Sequence, residues 1–478
     1  MHRYLQVLLL LLWLPTLLAA EPTHNYQALR TANQNQTLWL DNGHLNQAGL
    51  TLTSLLADLG LRASALLSET EKQKPQQTDQ QLTLQLLNAI NRTLGHQVPQ
   101  PLIQQVDLLQ AINQQQLDQL IDQHLPRFEQ MLALRSAIAR FRTLSKMPWP
   151  QLAKDFQPKL GQSNPQVQAL KNMLSLLGDL PSHTTTWWDP QSIAALKAFQ
   201  LRMGLPPHGQ LDTTTKAALN ITPIQRLAIL QRNLQRLLSL PAAPPAQYIE
   251  VNIPDARLNL FASGHVILSM PVIVGAPDSQ TPLMVTEVSS ISLNPLWRPP
   301  ASIIQRELLP ALRTDPKSYD QQGFRWQSPS GEFIALNASQ ATQAGYRLVQ
   351  LPGPHNALGQ YRFNIKNHDA IYLHDTPAKS LFRQEQRALS HGCIRLADAQ
   401  ALAMALIGLE PAERQQRLTQ QLAKETSFGI ALTQSIPVYL NYQSVVIRAD
   451  GKLQWLADPY GLDQITTPQT ASLLALRN

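Results

Sequence analysis

Ser390-His391-Gly392-Cys393-Ile394-Arg395-Leu396 is the stretch on which the reading of this chain turns, and it holds the single cysteine of 478 residues. A thiol becomes a nucleophile as thiolate, and an imidazole within hydrogen-bond reach can take its proton. Nineteen residues upstream lies His374, inside Ala370-Ile371-Tyr372-Leu373-His374-Asp375. That segment reads as a strand, so Tyr372 and His374 share one face while Ile371 and Leu373 turn to the core. Asp375 can orient the imidazole through its backbone carbonyl or its side chain. Gly392 removes side-chain bulk, letting backbone N–H groups approach a developing oxyanion. Two resting states are open. In an ion pair the thiol pKa falls below its usual ~8.5 and the imidazole rises above ~6.5. In a neutral pair the base acts only as the carbonyl is attacked. Alkylation of Cys393 is expected to be appreciable below about pH 7.5. The bland alternative is a small buried cysteine beside a structural histidine.

Outward from this stretch the pattern is of period two. Ile249, Val251 and Ile253 alternate with Tyr248, Glu250 and Asn252, and residues 257–261, 265–274 and 285–293 read as further strands. A β-rich domain therefore begins near residue 247, and residues 298–346, irregular and partly helical, look inserted between strands. Before it, Pro241-Ala242-Ala243-Pro244-Pro245 is a stiff linker. Residues 21–163 read helical: Leu82, Leu84, Leu86, Leu87, Ile90 and Leu94 form one run, Leu108, Leu109, Ile112, Leu117 and Leu120 another. An amphipathic helix returns over 221–240. Between these lies a compact three-helix unit, 164–220, with Val167, Leu170, Leu174 and Leu177 stopped by Gly178. A second helix carries Phe199 and Gln200, and Asp212 caps a third.

Composition narrows the function classes. One cysteine excludes an internal disulfide framework and any multi-cysteine metal site. The net charge is +7, but no basic cluster stands out, which argues against nucleic acid as partner. His355, His368, His374 and His391 are a loose set without the spacing of a zinc site, so neither metal nor cofactor is expected. Residues 1–20 read as an export signal: a basic start, an apolar run over 5–18 and small residues at Ala19 and Ala20. That run is short for a bilayer, which needs ~20 residues. The expectation is a periplasmic protein, soluble or weakly anchored through an uncleaved signal.

The heptapeptide is the signature of the L,D-transpeptidases, the YkuD-type peptidoglycan cross-linkers, which residues 247–464 resemble. Met270-Pro271-Val272-Ile273-Val274-Gly275, Gln280-Thr281-Pro282, Asn294-Pro295-Leu296-Trp297, Asn356-Ala357-Leu358-Gly359, His374-Asp375-Thr376-Pro377 and Asp458-Pro459-Tyr460-Gly461 resemble its large periplasmic branch. Residues 164–220, with Phe199-Gln200, Gly204-Leu205, Gly209 and Ala218-Leu219-Asn220, resemble a type-1 peptidoglycan-binding domain. The resemblance implies an α+β chain: a helical scaffold carrying a wall-binding module, then a mainly β catalytic domain with an inserted capping subdomain. It implies Cys393 as nucleophile, His374 as base and acid, the Asp375 backbone oxygen as orienter, and the amides of Gly392 and Cys393 as oxyanion donors. Tyr372, Ser390, His391 and Arg395 would line the site, and residues 376–389 would be a loop capping the cleft. Arg395 would grip a substrate carboxylate or hold the loop in a buried pair. Asn294 and Trp297 would stand on the cleft wall, a core role being open for Trp297. The implied reaction joins tetrapeptide stems through 3→3 diaminopimelate links, and carbapenems are expected to acylate the thiol. Other outcomes are L,D-carboxypeptidase, D-amino-acid exchange, lipoprotein attachment, or a wall-binding protein without catalysis.

Overall fold

A computed structural model describes residues 22–61, 74–94, 105–181, 185–336, 345–422, 427–448 and 450–464. The expected export signal, residues 1–20, lies outside them. Among the described residues no helix is long and apolar enough to cross a membrane. The expected α+β architecture is what the chain adopts, in two compact units. One is built from the described residues up to Pro244 together with Val445–Trp455, the other from Pro245–Ser444 and Leu456–Gln464.

In the first unit, α1 (Pro22–Ala32) leads to a short hairpin, β1 (Leu40–Asp41) and β2 (His44–Leu45), an element the helical periodicity does not announce. Fully buried Asp79 anchors it, accepting the N–H groups of Leu38 and Trp39 and the Tyr26 hydroxyl. Helices α2 (Gln47–Asp58), α3 (Pro75–Leu94), α4 (Gln105–Asn113), α5 (Leu117–His124) and α6 (Glu129–Leu144) follow. The leucines from 108 to 120 thus sit on two helices, separated by Gln115 at φ 56°.

The three-helix stretch comprises α7 (Pro165–Leu177), α8 (Pro190–Arg202) and α9 (Thr213–Asn220). Asn164, Asp189 and Asp212 each cap an N-terminus through the side chain, and Gly178 ends α7 at φ 90°, where a Cβ is strained. Gln200, wholly buried, donates to the Gln210 carbonyl and Thr215 hydroxyl and accepts the Gly209 N–H. Two of the landmarks, Gln200 and Gly209, are thus joined directly. Helix α10 (Pro223–Leu237) starts with a Thr222–Gln225 capping box.

The second unit is a mixed sheet of β3 (Gln247–Asn252), β4 (Arg257–Ala262), β5 (His265–Gly275), β6 (Met284–Leu293), β10 (Tyr361–Ile365), β11 (Leu373–His374), β12 (Ala388–Ser390), β13 (Ile394–Leu396) and β14 (Phe428–Asn441). The ladder closes on itself, because β5 pairs with β4 as well as with β13. Ile249, Val251, Leu258, Leu260, Val272, Val274, Ile291, Phe363, Leu373, Ile394 and Leu396 fill its interior, capped by Leu402, Ala403 and Leu406 of α14 (Ala399–Gly408). α15 (Ala412–Leu422) follows.

Between β6 and β10 the chain makes the insertion. It contains α11 (Ala301–Ile303), a π-helical turn (Ile304–Leu308), α12 (Leu309–Thr314), α13 (Pro316–Gln321) and the strands β7 (Phe324–Gln327), β8 (Phe333–Ile334) and β9 (Arg347–Gln350). Leu308, Leu312, Phe324, Trp326 and Leu348 give it a core of its own. Its third strand runs to Gln350, past the expected end at 346, because Gln350 and Trp297 exchange backbone hydrogen bonds that staple the two ends of the insertion.

The sheet unit is not continuous from 247 to 464, as the sequence suggested. The hairpin β15 (Val445–Ile447) and β16 (Leu453–Trp455) belongs to the helical unit. There Trp455 meets Phe141 edge-on at 6.2 Å and stacks under the Arg226 guanidinium at 5.0 Å. Burial of Val445, Val446 and Trp455 is the driving force.

Candidate active site

Cys393 lies in a turn forced by its neighbours. Gly392 has φ 111°, and a Cβ there would stand 3.2 Å from the Ile371 side chain. Ser390, buried, donates its hydroxyl to the Cys393 carbonyl at 2.6 Å and accepts the Gly392 N–H at 3.1 Å. The Gly392 amide is therefore already engaged, which corrects the expectation that it serves as an oxyanion donor. Thr281 accepts the Gly275 N–H at 2.8 Å and donates to the Gly392 carbonyl at 2.7 Å. Its own N–H goes to the Tyr460 hydroxyl, which in turn donates to the Gly275 carbonyl. The turn is thus bolted from behind by β5 and the C-terminal tail. The sequence contained Gln280-Thr281-Pro282 and Asp458-Pro459-Tyr460-Gly461 as motifs, but nothing in them announced that they meet.

His374 sits in β11, with Arg362 of β10 and Arg395 of β13 as its partners across the two ladders. It is 4% exposed, and its Nδ1 stands 2.5 Å from the backbone oxygen of Asp375. The Asp375 carboxylate is directed elsewhere: it accepts the Gln360 N–H and pairs with Lys379 at 2.6 Å. A Cβ on Gly359 would lie 2.3 Å from that carboxylate, which is why a glycine at φ 59° occupies the position.

Both titratable partners are pushed toward neutrality. Burial, then the charges of Arg395 and Arg362, lower the His374 pKa to about 4. Burial raises the Cys393 thiol, against the N–H of Tyr372 and the charge of Arg395, which favour thiolate. The thiol donates to the Ala370 carbonyl at 3.7 Å. Both shifts favour the neutral pair of thiol and imidazole over the ion pair, and alkylation above rather than below pH 7.5.

A cleft of about 220 Å³ opens on this pair. It is lined by Tyr372, His374, Ser390, His391, Cys393 and Arg395 from the sheet unit, and by Trp297, Pro300, Ile303, Glu307 and Leu308 from the insertion and its entry. Tyr372 has its pKa raised to about 12 mainly by burial, against the Arg362 charge and the Trp297 indole, and lies under the Arg362 guanidinium at 5.5 Å. Trp297 fills both open roles, since it also packs against the core of the insertion. The Arg395 guanidinium has no hydrogen-bond or ion-pair partner among the described residues. His391 contacts Glu307 through Nε2 at 2.7 Å.

Two expectations fail on position. Asn294 does not line the cleft. It turns the chain out of β6 at φ 42°, its N–H donating to Gln360 and its carbonyl accepting Ser427. Residues 376–389 are absent from the lining, to which the insertion, likewise expected to cap the cleft, contributes Ile303, Glu307 and Leu308. Lys379 ties that segment to the carbonyls of Leu396 and Ala397, and Arg387 ties it to those of Asp255 and Ala256. Arg362, Glu307 and Thr281 were missed. No local motif marks the first two, because the contacts that give them meaning span other strands or the insertion.

Residues 246–407 match the family model described as "L,D-transpeptidase catalytic domain" (YkuD), and residues 163–219 match the "Putative peptidoglycan binding domain". A protein of Haemophilus influenzae named "Putative L,D-transpeptidase" is 34% identical over 254 residues, covering 52% of this chain and 50% of that one. The chain thus spans about half the length of this curated relative. An L,D-transpeptidase structure from Mycobacterium smegmatis aligns at 14% identity and TM-score 0.22, over 41% of this chain and 59% of its own. One from Stackebrandtia nassauensis aligns at 15% and 0.21, over 61% and 97%. At these scores the superpositions add nothing to the family match.

Proposed function

Because the chain carries a YkuD-type L,D-transpeptidase catalytic domain behind a peptidoglycan-binding domain, we propose that it is a peptidoglycan L,D-transpeptidase working through a Cys393 acyl-enzyme. The observation that carries this reading is one cleft holding a thiol, a buried imidazole and a guanidinium without a side-chain partner among the described residues.

Cys393 Sγ attacks the carbonyl between the L-centre of diaminopimelate and the terminal D-alanine of a tetrapeptide stem. Its proton passes to His374, whose Nδ1 is held by the Asp375 carbonyl, leaving Nε2 as the base. With the Gly392 amide engaged, the Cys393 N–H is the oxyanion donor at the nucleophile. Collapse breaks the C–N bond, His374 returns the proton to the departing amine, and D-alanine leaves. Arg395 receives a carboxylate of the donor stem, to which a guanidinium is suited. The side-chain amine of a second diaminopimelate then takes the acyl group, forming a 3→3 link. Residues 163–219 hold the enzyme on the wall, and the periplasm is where such a substrate lies. Carbapenems acylate the same thiol.

Incubation with disaccharide tetrapeptides should yield D-alanine and 3→3 dimers, and a carbapenem should add its mass to the protein. Cys393→Ala should do neither. Cross-linking retained by Cys393→Ala would overturn the mechanism; D-alanine release without dimers would leave a carboxypeptidase.

A further inference from the structure

The second half of the reaction needs an amine that is an ammonium ion in solution, and the cleft is asymmetric in charge. Arg395 lies beside the nucleophile, and Arg362 flanks His374. Two carboxylates also line the cleft, Glu307 and Asp369. Glu307 lies in the π-helical turn Ile304–Leu308, a helix irregularity often found at functional sites. It hydrogen-bonds His391, two residues from the nucleophile, yet its side chain is 50% exposed and that of His391 46%. Glu307 therefore lines the cleft while half of its side-chain surface stays open to a further partner.

We propose that Glu307, with His391, forms the acceptor subsite, selecting a primary ammonium group of a second peptide stem over water. This rests on the transpeptidase reading above. The ammonium is held by the Glu307 carboxylate and gives one proton to solvent at the open rim. The amine lone pair then attacks the thioester carbonyl. The second nitrogen proton goes to His374, the C–S bond breaks, and the Cys393 thiolate takes that proton back as the amide forms. Glu307 touches substrate in the acceptor step alone.

The readout is the ratio of cross-linked dimer to hydrolysed tripeptide formed from one acyl-enzyme pool. In Glu307→Gln it should fall about tenfold or more, the scale of a lost charged hydrogen bond, while Glu307→Asp keeps part of it. Capture by hydroxylamine, uncharged near neutral pH, should not change. Carbapenem mass adducts count the reactive sites in each variant. On the wild type alone, added salt should depress dimer formation more than hydrolysis. An unchanged ratio in Glu307→Gln, an equal fall with hydroxylamine, or a salt-independent ratio overturns the assignment. Absence of D-alanine release by the wild type would instead strike the transpeptidase reading, and this inference with it.

Discussion

At the scale of single residues, the neutral thiol–imidazole pair has consequences for pH. A histidine whose folded pKa lies near 4, below its unfolded ~6.5, binds fewer protons in the native state. Its stabilisation is therefore full above about pH 6.5 and is lost as the pH falls toward 4, by about 3 kcal/mol. Denaturant unfolding from pH 7 to 4 should show this loss in the wild type and a smaller one in His374→Gln. Alkylation of Cys393 should be slow at pH 7.5 and climb only above the usual thiol range of ~8.5. His374→Ala should leave that profile nearly unchanged while turnover is lost; a wild-type profile already high at neutral pH would speak for an ion pair. Thr281 offers a second test. Thr281→Val keeps the shape but orphans the Gly392 carbonyl and the Gly275 N–H, and should cost about 1–3 kcal/mol. Carbapenem acylation should slow alongside, because the turn carrying Cys393 is no longer fixed. Normal acylation in a destabilised Thr281→Val would show that Ser390 alone holds the turn.

Among elements, of the two segments expected to cap the cleft, residues 376–389 and the insertion, only the second lines it. The first is short, polar and lies between base and nucleophile, which reads like a lid. Its Lys379 and Arg387 instead donate hydrogen bonds to backbone carbonyls, and its end, β12, pairs with β5. Removing residues 379–383 should therefore lower the melting temperature and the acylation rate together. A fall in rate with unchanged melting would restore the lid. The insertion, with a core of its own, walls the cleft through Trp297, Ile303 and Glu307. Trp297→Phe keeps much of the packing against the insertion core yet removes the indole N–H from the cleft wall beside Tyr372, so acylation kinetics should change more than stability does.

In the whole molecule, the chain leaves the sheet unit at Ser444 and returns at Leu456. A fragment beginning at residue 245 carries Val445, Val446 and Trp455 without the helical partners that bury them. It should expose apolar surface and aggregate, whereas the full chain does not. Trp455→Ala in the full chain should cost about 3–5 kcal/mol in the helical unit, read by thermal melting. Carbapenem acylation at a temperature below the transition should persist, since Trp455 takes no part in the cleft.

The sequence by itself determined what local pattern can carry. Alternation from Tyr248 onward announced the sheet, and the leucine stripe stopped at Gly178 and the cap at Asp212 announced the short helices, because periodicity and capping act between near neighbours. Ser390 to Leu396 announced thiol chemistry because few uses of that combination compete. Tertiary structure alone decided the protonation of the pair. Burial of His374 between Arg362 and Arg395 depends on strands from three parts of the chain, and desolvation is a property of the packed surroundings. It also decided which segment walls the cleft, since 84 residues separate Glu307 from His391 and only folding brings them to 2.7 Å.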